Sequence, residues 1–171
     1  VSGGLRDYAL SLIQIAGDLR LLSSGPNTGL AEIHLPARQP GSSIMPGKIN
    51  PVMPEVAAQV GYQVIGNDLT IAFAARGGER ELNGMRPVII YNLLLSIEIL
   101  KNVTSVLRRF CVEGITSNIE RCRHYAERSF GIAAALNPSI GYNKAARFVE
   151  MMEAQGIVEG YADGTYKPDA T

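Results

Sequence analysis

Ten consecutive residues, Gly41-Ser42-Ser43-Ile44-Met45-Pro46-Gly47-Lys48-Ile49-Asn50, carry more chemical information than any other segment of this chain. They combine two glycines and a proline with two hydroxyls, one ammonium and one amide. Glycine widens the accessible backbone angles and proline restricts them, so this segment is predicted to be a shaped loop. Its polar groups are those needed to hold an anion and to move a proton. The alternative is a Ser/Gly-rich surface loop without chemistry.

Helical patterns flank this loop on both sides. An amphipathic helix that ends near Gly25-Pro26 is predicted from apolar residues at three- and four-residue steps, namely Leu5, Tyr8, Leu12, Ile15, Leu19 and Leu22. Residues 24–53 are rich in Gly, Pro, Ser and Asn and are predicted to be one long loop. Pro54-Glu55 then begins a helix to about Ala75, and Pro87 begins a third to about Val112.

Shorter helices are predicted in the C-terminal third. Ser117-Asn118-Ile119-Glu120 fits a capping box for a helix to about Arg128. A short helix over residues 130–136 is predicted to end at Asn137-Pro138, and a last helix runs from Lys144 to Gln155. No segment alternates as a strand would, so the predicted fold is all-α. Its parts are a helical-bundle portion over residues 1–113 with a loop at 36–53, a small helical domain at 114–146, and a separate segment at 147–171.

Composition excludes several classes of function. The 171 residues carry 16 basic and 16 acidic side chains, for a net charge of +0, which gives no electrostatic basis for binding nucleic acid or an anionic membrane. The longest apolar run, Val88 to Leu100, is too short to span a bilayer and contains Asn92 and Glu98. Hydrophobic content of 46% without Trp suits a helix-rich soluble protein.

The cysteines and histidines form no recognisable metal motif. Cys111 and Cys122 are interpreted as ordinary thiols of a reducing compartment rather than as a disulfide or metal pair. His34 and His124 are isolated, which predicts solvated or core histidines. No secretory signal is visible at Val1, and the absence of an initiator Met predicts an N-terminal truncation that leaves targeting undecided.

The long predicted helices also make predictions about packing. Helices over residues 54–75 and 87–112 have wide apolar faces that one chain of this length leaves exposed, which predicts association. Gly17, Gly61 and Gly66 fall inside predicted helices. Each either costs about 1 kcal/mol relative to alanine or marks a close helix crossing.

The loop resembles the GSSxMPxKxN signature of the aspartase/fumarase superfamily, homotetrameric lyases that release fumarate by eliminating ammonia, water or an amine. Residues 18–26, 50–55, 81–83, 87–94, 114–118 with Cys122, and 137–142 are also similar, so about residues 1–146 resemble the C-terminal part of such an enzyme. The resemblance implies a portion of the long-helix bundle plus a small helical domain. Residues 51–55 and 114–122 look more like the aspartate ammonia-lyases. The implied function is elimination of ammonia from L-aspartate, with class II fumarate hydratase as the alternative.

The same resemblance implies roles for five residues. Ser42 is the base that takes the proton from C3 of the substrate, and Lys48 and Asn50 bind its carboxylate with Ser43 as a further contact. Glu55 orients a histidine of another subunit, or is simply an acid at a helix N-terminus. The partners implied are a small dicarboxylate substrate and, in the complete homotetramer, segments of other subunits that lie upstream of this chain. No metal or organic cofactor is implied.

Residues 156–171 resemble the front half of an S-layer homology repeat, a module that binds bacterial cell-wall polymers. A Gly/Asp/Pro-rich turn after a helix explains the same composition. The repeat raises a second class of function, a non-catalytic cell-envelope attachment protein with a lyase-like scaffold, and also a chimeric reading frame. The implied location is the cytoplasm, or the cell envelope if this segment is functional.

Overall fold

The computed structural model describes residues 1–129 and 131–156, and α-helices dominate this part of the chain. The first compact unit, Val1–Ser117, contains the three long helices. The second unit begins at Asn118. The helices are α1 Ser2–Leu22, α2 Val52–Arg76, α3 Arg86–Phe110, α4 Ile119–Glu127, α5 Gly131–Ile140 and α6 Tyr142–Ala154, with a 3₁₀ turn at Val112–Gly114. The all-α prediction is confirmed. The predicted domain boundaries after residues 113 and 146 stay predictions, and residues 157–171 lie outside the described range.

Two elements depart slightly from an all-helical chain. The long predicted loop contains a two-residue strand, β1 Ile33–His34, which pairs antiparallel with β2 Thr116–Ser117. His34 lies opposite Thr116 in this ladder. Strands this short carry no sequence period, so the pairing was not predictable from alternation. The pairing joins the segment before the signature loop to the chain that follows α3.

The core of the first unit lies where α2 packs against both α1 and α3. Small residues allow the α1 and α2 backbones to approach closely, and larger aliphatic residues of α3 fill the other side. The buried set is Ala9, Leu12 and Ala16 of α1, Ala57, Ala58 and Val64 of α2, Leu100, Val103 and Leu107 of α3, and Cys111. The periodicity that predicted α1 matches its contact face only in part, because Leu12 is buried and Leu5 and Leu19 pack against the core, whereas Tyr8 and Ile15 are exposed.

Gly61 lies where α1 and α2 approach each other closely. A Cβ added at this buried position would lie 2.6 Å from Ile13 Cγ1 and 3.2 Å from the Ala9 carbonyl oxygen. At Gly17 and Gly66 the same atom would meet nothing within 4 Å. Of the two explanations for helical glycines, close crossing therefore applies to Gly61, and a plain propensity cost applies to the other two.

We expect opposite effects on stability from two alanine substitutions in α2. Gly61→Ala forces Ile13 out of its place and should lower the free energy of unfolding by about 1–3 kcal/mol, less the gain in helix propensity. Gly66→Ala adds a methyl in open space and should raise it by up to about 1 kcal/mol. Urea unfolding followed by circular dichroism measures both. Equal effects of the two changes would contradict the assignment of Gly61 as the crossing point.

A hydrogen-bonded chain of polar side chains runs from the exposed Gln63 to Asn67 and Ser96, which are buried between α2 and α3. The Gln63 amide donates to Asn67 Oδ1 at 2.9 Å, and Asn67 Nδ2 donates to Ser96 Oγ at 3.0 Å. The Ser96 hydroxyl in turn donates to the Asn92 carbonyl at 2.7 Å. Asn67 and Ser96 are only 3% and 2% exposed, so a shift of either helix that broke the Asn67–Ser96 bond would leave buried polar atoms unsatisfied. Of the three bonds, this one crosses between the helices, and it opposes sliding of α3 along α2.

The third helix extends beyond the apolar run from Val88 to Leu100, which alone is too short to span a bilayer. Within the described residues, Arg86–Gly114 is one segment long and apolar enough to cross a membrane by length and composition alone, with a mean hydropathy of 1.3 in its best window. Packed helices of soluble proteins pass the same test. In this unit the face of α3 that carries Ser96, Leu100 and Val103 is buried in the bundle.

Two predicted helix ends in the second unit are wrong. The N-cap of α4 is Asn118, whose side chain accepts a hydrogen bond from the Arg121 backbone N–H at 3.2 Å, so the capping box predicted for Ser117 does not form. Ser117 belongs to β2 instead. Helix α5 continues through Pro138 to Ile140, and Gly141 N–H bonds the Asn137 carbonyl at 3.0 Å, although an interior proline loses its own hydrogen bond and crowds the preceding turn.

Candidate active site

The signature loop is closed at its base by three backbone and side-chain contacts. Gly41 N–H donates to the Lys48 carbonyl at 2.7 Å, and Asn50 Nδ2 donates to the Gly41 carbonyl at 2.9 Å. Pro40 and Ile49 face each other in an isolated antiparallel bridge. We call these five residues, Pro40, Gly41, Lys48, Ile49 and Asn50, the neck. The neck turns residues 42–47 into a compact projection.

The neck explains why glycine is needed at position 41. A Cβ there would lie 2.8 Å from the Asn50 backbone nitrogen and 2.9 Å from both Asn50 Oδ1 and the Lys48 carbonyl oxygen. Real Cβ atoms do not approach so closely, so only glycine fits between these groups. Gly47, at the far end of the projection, has a φ of +81°, where side chains are strained.

Ser42 follows the neck residue Gly41 in the chain, and its hydroxyl oxygen accepts a hydrogen bond within the loop. The Ile44 backbone N–H donates to Ser42 Oγ at 3.2 Å. Ser42 is half-buried, whereas Ser43 and Lys48 are exposed to solvent. A donor held on the oxygen favours its deprotonated form over an unassisted hydroxyl. The geometry therefore supplies one of the donors that a serine base requires.

Four of the five predicted site residues lie on the signature loop, and the fifth, Glu55, lies on α2. The loop between residues 41 and 50 carries Ser42, Ser43, Lys48 and Asn50. Glu55 lies half-buried in the first turn of α2, where its backbone N–H bonds the Pro51 carbonyl at 3.1 Å. That position favours an acid because of the partial positive charge at a helix N-terminus. The role of Glu55 towards a partner histidine stays a prediction.

The approach to the loop is anchored by a residue that sequence reasoning missed. Arg38 Nε donates to the Phe110 carbonyl at 2.7 Å, and its guanidinium lies 5.2 Å from the centre of the Phe110 ring. A cation bonded to one of the last carbonyls of a helix is favoured by the helix dipole. Arg38 thus fixes the chain just before the neck to the end of α3. The sequence gives no sign of this anchoring role beyond the position of Arg38 two residues before Pro40.

A small cavity of about 180 Å³ lies behind the neck. Its walls are the β1 segment, the residues that leave the loop and the end of α1, namely Ser23, Ile33, His34, Leu35, Pro36, Ile49, Asn50 and Pro51. His34 was predicted as an isolated histidine, and the fold places it with Asn50 in the lining of this cavity. No local pattern announces this proximity, because it depends on the pairing of β1 with β2.

The remaining titratable groups near the loop include one buried thiol. Cys111 is 1% exposed at the end of α3, and burial raises the pKa of its thiol above the ordinary value. The nearby positive charge of Arg38 acts in the opposite direction. Across residues 1–129 and 131–156, no group of three or more His, Cys, Asp or Glu side chains could hold a metal ion.

Comparison with known proteins matches two family models to different parts of the chain. Residues 1–66 match the Lyase family, and residues 138–171 match the S-layer homology domain. The first match includes α1, the signature loop and more than half of α2. The last fifteen residues of the second match, 157–171, lie outside the described range.

Individual relatives extend the lyase similarity to most of the chain. The aspartate ammonia-lyase of Bacillus subtilis is 52% identical over 159 residues, which are 92% of this chain and 34% of that protein. Fumarate hydratase class II 1 of Pseudomonas aeruginosa is 47% identical over 156 residues, which are 91% of this chain and 34% of that protein. A crystal structure described as fumarate lyase:delta crystallin from Brucella melitensis has a TM-score of 0.84 at 54% identity, over 92% of this chain and 34% of that one.

The chain therefore carries a segment of the aspartase/fumarase superfamily, as the signature loop predicted. Within that superfamily it is similar to aspartate ammonia-lyases at higher identity than to the fumarate hydratase, 52% against 47%. The chain spans about a third of the length of these relatives. A similarity that covers 92% of the chain goes past the predicted limit near residue 146 and overlaps the S-layer homology match, which begins at residue 138.

Proposed function

We propose that this chain is the part of an aspartate ammonia-lyase that supplies the base, in an enzyme that converts L-aspartate to fumarate and ammonia. The observation that carries the proposal is the closed loop in which Ser42 Oγ accepts the Ile44 amide hydrogen. The higher identity to aspartate ammonia-lyases supports this branch over fumarate hydratase, which is the alternative.

The elimination requires removal of a weakly acidic proton beside a carboxylate. As the proton leaves C3, negative charge develops on that carboxylate, so the transition state needs a base and fixed positive donors. Ser42 takes the proton as an alkoxide that the Ile44 amide stabilises, and its oxygen becomes a hydroxyl. The electron pair of the broken C3–H bond then forms the double bond of fumarate. The C–N bond at C2 breaks with its pair on nitrogen, and the protonated amine of aspartate departs as neutral ammonia.

The exposed polar groups of the loop bind the substrate in this proposal. The Lys48 ammonium is the counter-charge for the carboxylate, and Ser43 adds a hydrogen bond. Both side chains are exposed, so a substrate held by other subunits could reach them.

The partners proposed are a small dicarboxylate and three further copies in a homotetramer, with Glu55 facing a histidine of another subunit. This chemistry uses no metal or organic cofactor, and the proposed location is the cytoplasm.

The test is an assay of the whole protein that contains this chain. Fumarate, which absorbs in the ultraviolet, should form from L-aspartate and not from L-malate. Release of fumarate from malate alone would replace ammonia elimination by the fumarate hydratase alternative. A Ser42→Ala variant assayed beside it controls for fumarate formed by contaminating enzymes.

The S-layer homology match supports a second candidate function, attachment to a cell-wall polymer. In this case the lyase-like helices are a scaffold and the protein belongs to the cell envelope. The two candidates are separated by sedimentation of the whole protein with purified cell walls, compared with a variant that lacks residues 157–171. Retention of the full protein but not of the variant supports attachment, and equal behaviour of both contradicts it.

A further inference from the structure

We propose that Arg38 is a positioning residue, which sets the place of Ser42 by tying the start of the signature loop to the end of α3. Arg38 Nε donates to the Phe110 carbonyl at 2.7 Å, and the guanidinium lies 5.2 Å from the centre of the Phe110 ring. This inference rests on the proposed function for its effect on catalysis. The tie itself is a contact within the first unit and does not depend on which reaction the site performs.

The chain that leads into the signature loop is attached to the chain that ends and follows α3 at three levels. We call residues 33–38 the entry segment. Its first two residues pair with β2 in the antiparallel ladder. Pro36 then packs against Gly114, where an added Cβ would lie 2.5 Å from Pro36 Cγ. Arg38 makes the last of these attachments before the loop begins.

The chain that leaves the loop returns to the same place. A gap of only about 10 Å³ is lined by the entry segment, the start of α2 and the end of α3, including Pro36, Arg38, Pro51, Pro54, Phe110 and Cys111. Pro54 and Cys111 are fully buried, so core packing fixes the exit of the loop. The entry instead depends on individual contacts, and the contact of Arg38 is the one nearest to Ser42 in the chain.

Chain length decides which side of the loop restricts Ser42 more. Arg38 lies four residues before Ser42, whereas Pro51 follows nine residues after it. A chain spans at most about 3.6 Å per residue, so a fixed Arg38 keeps the Ser42 Cα within about 14 Å of its own Cα. Without this tie the nearest attachment is Pro36, six residues away, and the limit rises to about 22 Å. The entry contact is therefore the shorter tether.

The acceptor is suited to this role because it belongs to a rigid element. Phe110 is the last residue of α3, and the last four carbonyls of a helix have no partner within it. Leu107, one turn earlier, is buried in the core, so this end of the helix is held by packing. The flat guanidinium can bond the carbonyl and lie near the ring at once, which a lysine ammonium cannot do.

Two effects set the size of the expected change. Freeing two more residues enlarges the volume that Ser42 can explore by about 2-fold, since this volume grows as the 3/2 power of tether length. Loss of an ordinary hydrogen bond changes a local equilibrium by about 2- to 10-fold. The fraction of molecules that hold Ser42 in its catalytic place should therefore fall by about 2- to 10-fold when Arg38 is lost.

The experiment compares three variants of the whole protein. Arg38→Met keeps a long side chain but has neither donor nor charge. Arg38→Lys restores a charged donor without the flat group. Arg109→Met is the matched control, because the Arg109 guanidinium lies 5.6 Å from the centre of the same Phe110 ring but belongs to α3 itself. It removes an arginine contact with that ring without freeing the entry segment.

The first readout is hydrogen–deuterium exchange of backbone amides, measured by mass spectrometry, and the second is kcat and KM for L-aspartate. Arg38→Met should speed exchange over residues 39–50 by about 2- to 10-fold, with α1 and α2 unchanged. It should lower kcat by a similar factor and change KM less, because the place of the base matters in the transition state. Arg38→Lys should recover part of both effects, and Arg109→Met should match the parent.

Two outcomes would overturn the proposal. Parental exchange over residues 39–50 in Arg38→Met would show that Arg38 does not hold the loop. Exchange raised equally in the loop and in the long helices would show that Arg38 only stabilises the fold. If neither aspartate nor malate is a substrate, the proposed function fails, while the exchange rates still decide whether Arg38 ties the loop to α3.

Discussion

Replacing Ser42 by alanine is expected to lower turnover of L-aspartate by about 10²- to 10⁴-fold in the whole protein, with KM changed only a few-fold. The reason is that Ser42 acts on the C–H bond that breaks, so its contribution appears in the transition state and not in the bound substrate. Steady-state rates of fumarate release at saturating and limiting aspartate measure the two constants separately. More than about a tenth of parental turnover in the variant would reject Ser42 as the base.

Two neighbouring variants separate this role from substrate binding. Lys48→Ala should raise KM as well as lower turnover, because the ammonium meets the carboxylate before and during the reaction. Ser43→Ala removes a hydroxyl one residue away without removing the proposed base, and it should retain much more turnover than Ser42→Ala. If Ser43→Ala lost as much as Ser42→Ala, the loop would be essential as a whole and the assignment of the base would fail.

The 171-residue chain expressed alone is expected to associate or aggregate and to show no lyase activity. Large apolar side chains of α2 and α3 are exposed, including Tyr62 at 58%, Leu69 at 58%, Phe73 at 68% and Leu94 at 60%. Surfaces of this kind in soluble proteins are normally covered by a partner. The proposed catalytic site also requires segments from other subunits, which this chain alone does not contain.

Light scattering and a fumarate assay test the two parts of this expectation. Joint replacement of Leu69 and Phe73 by glutamine should shift the chain towards smaller species, because both side chains lie on the exposed surface of α2. Gly66→Ala is a control on the same helix that adds no polar group. An active monomer would contradict both the need for partners and the assembly of the site from several subunits.

The long helices were predictable because each has many turns that repeat one pattern. The spacing of Leu12, Leu19 and their neighbours identified α1, and Pro54-Glu55 placed the start of α2 within two residues. The end of α5 was not predictable from Pro138, because the penalty of a proline depends on which carbonyls the following residues can still reach. Single-residue signals are overridden when other contacts provide the missing bonds.

The candidate site was predictable in its chemistry but not in its geometry. The residue types between Gly41 and Asn50 indicated an anion-binding, proton-moving loop. The bond from Asn50 to the Gly41 carbonyl spans nine positions of irregular chain, for which no period or spacing rule exists. The bond from Arg38 to Phe110 spans 72 positions and depends on the packing of the whole unit. Contacts of this kind become visible only when the chain is folded.

The hydrogen bond between Asn67 of α2 and Ser96 of α3 also makes the effect of a substitution at one position depend on the residue at the other. Changing Ser96 alone to an apolar residue leaves the Asn67 amide buried without that acceptor, a cost of about 1–3 kcal/mol. Changing both to apolar residues of matching shape removes the polar groups together and is close to neutral. An intermediate with one change is thus less stable than either end point. The substitutions that position 67 tolerates therefore depend on the residue at position 96, although 29 positions separate the two in the chain.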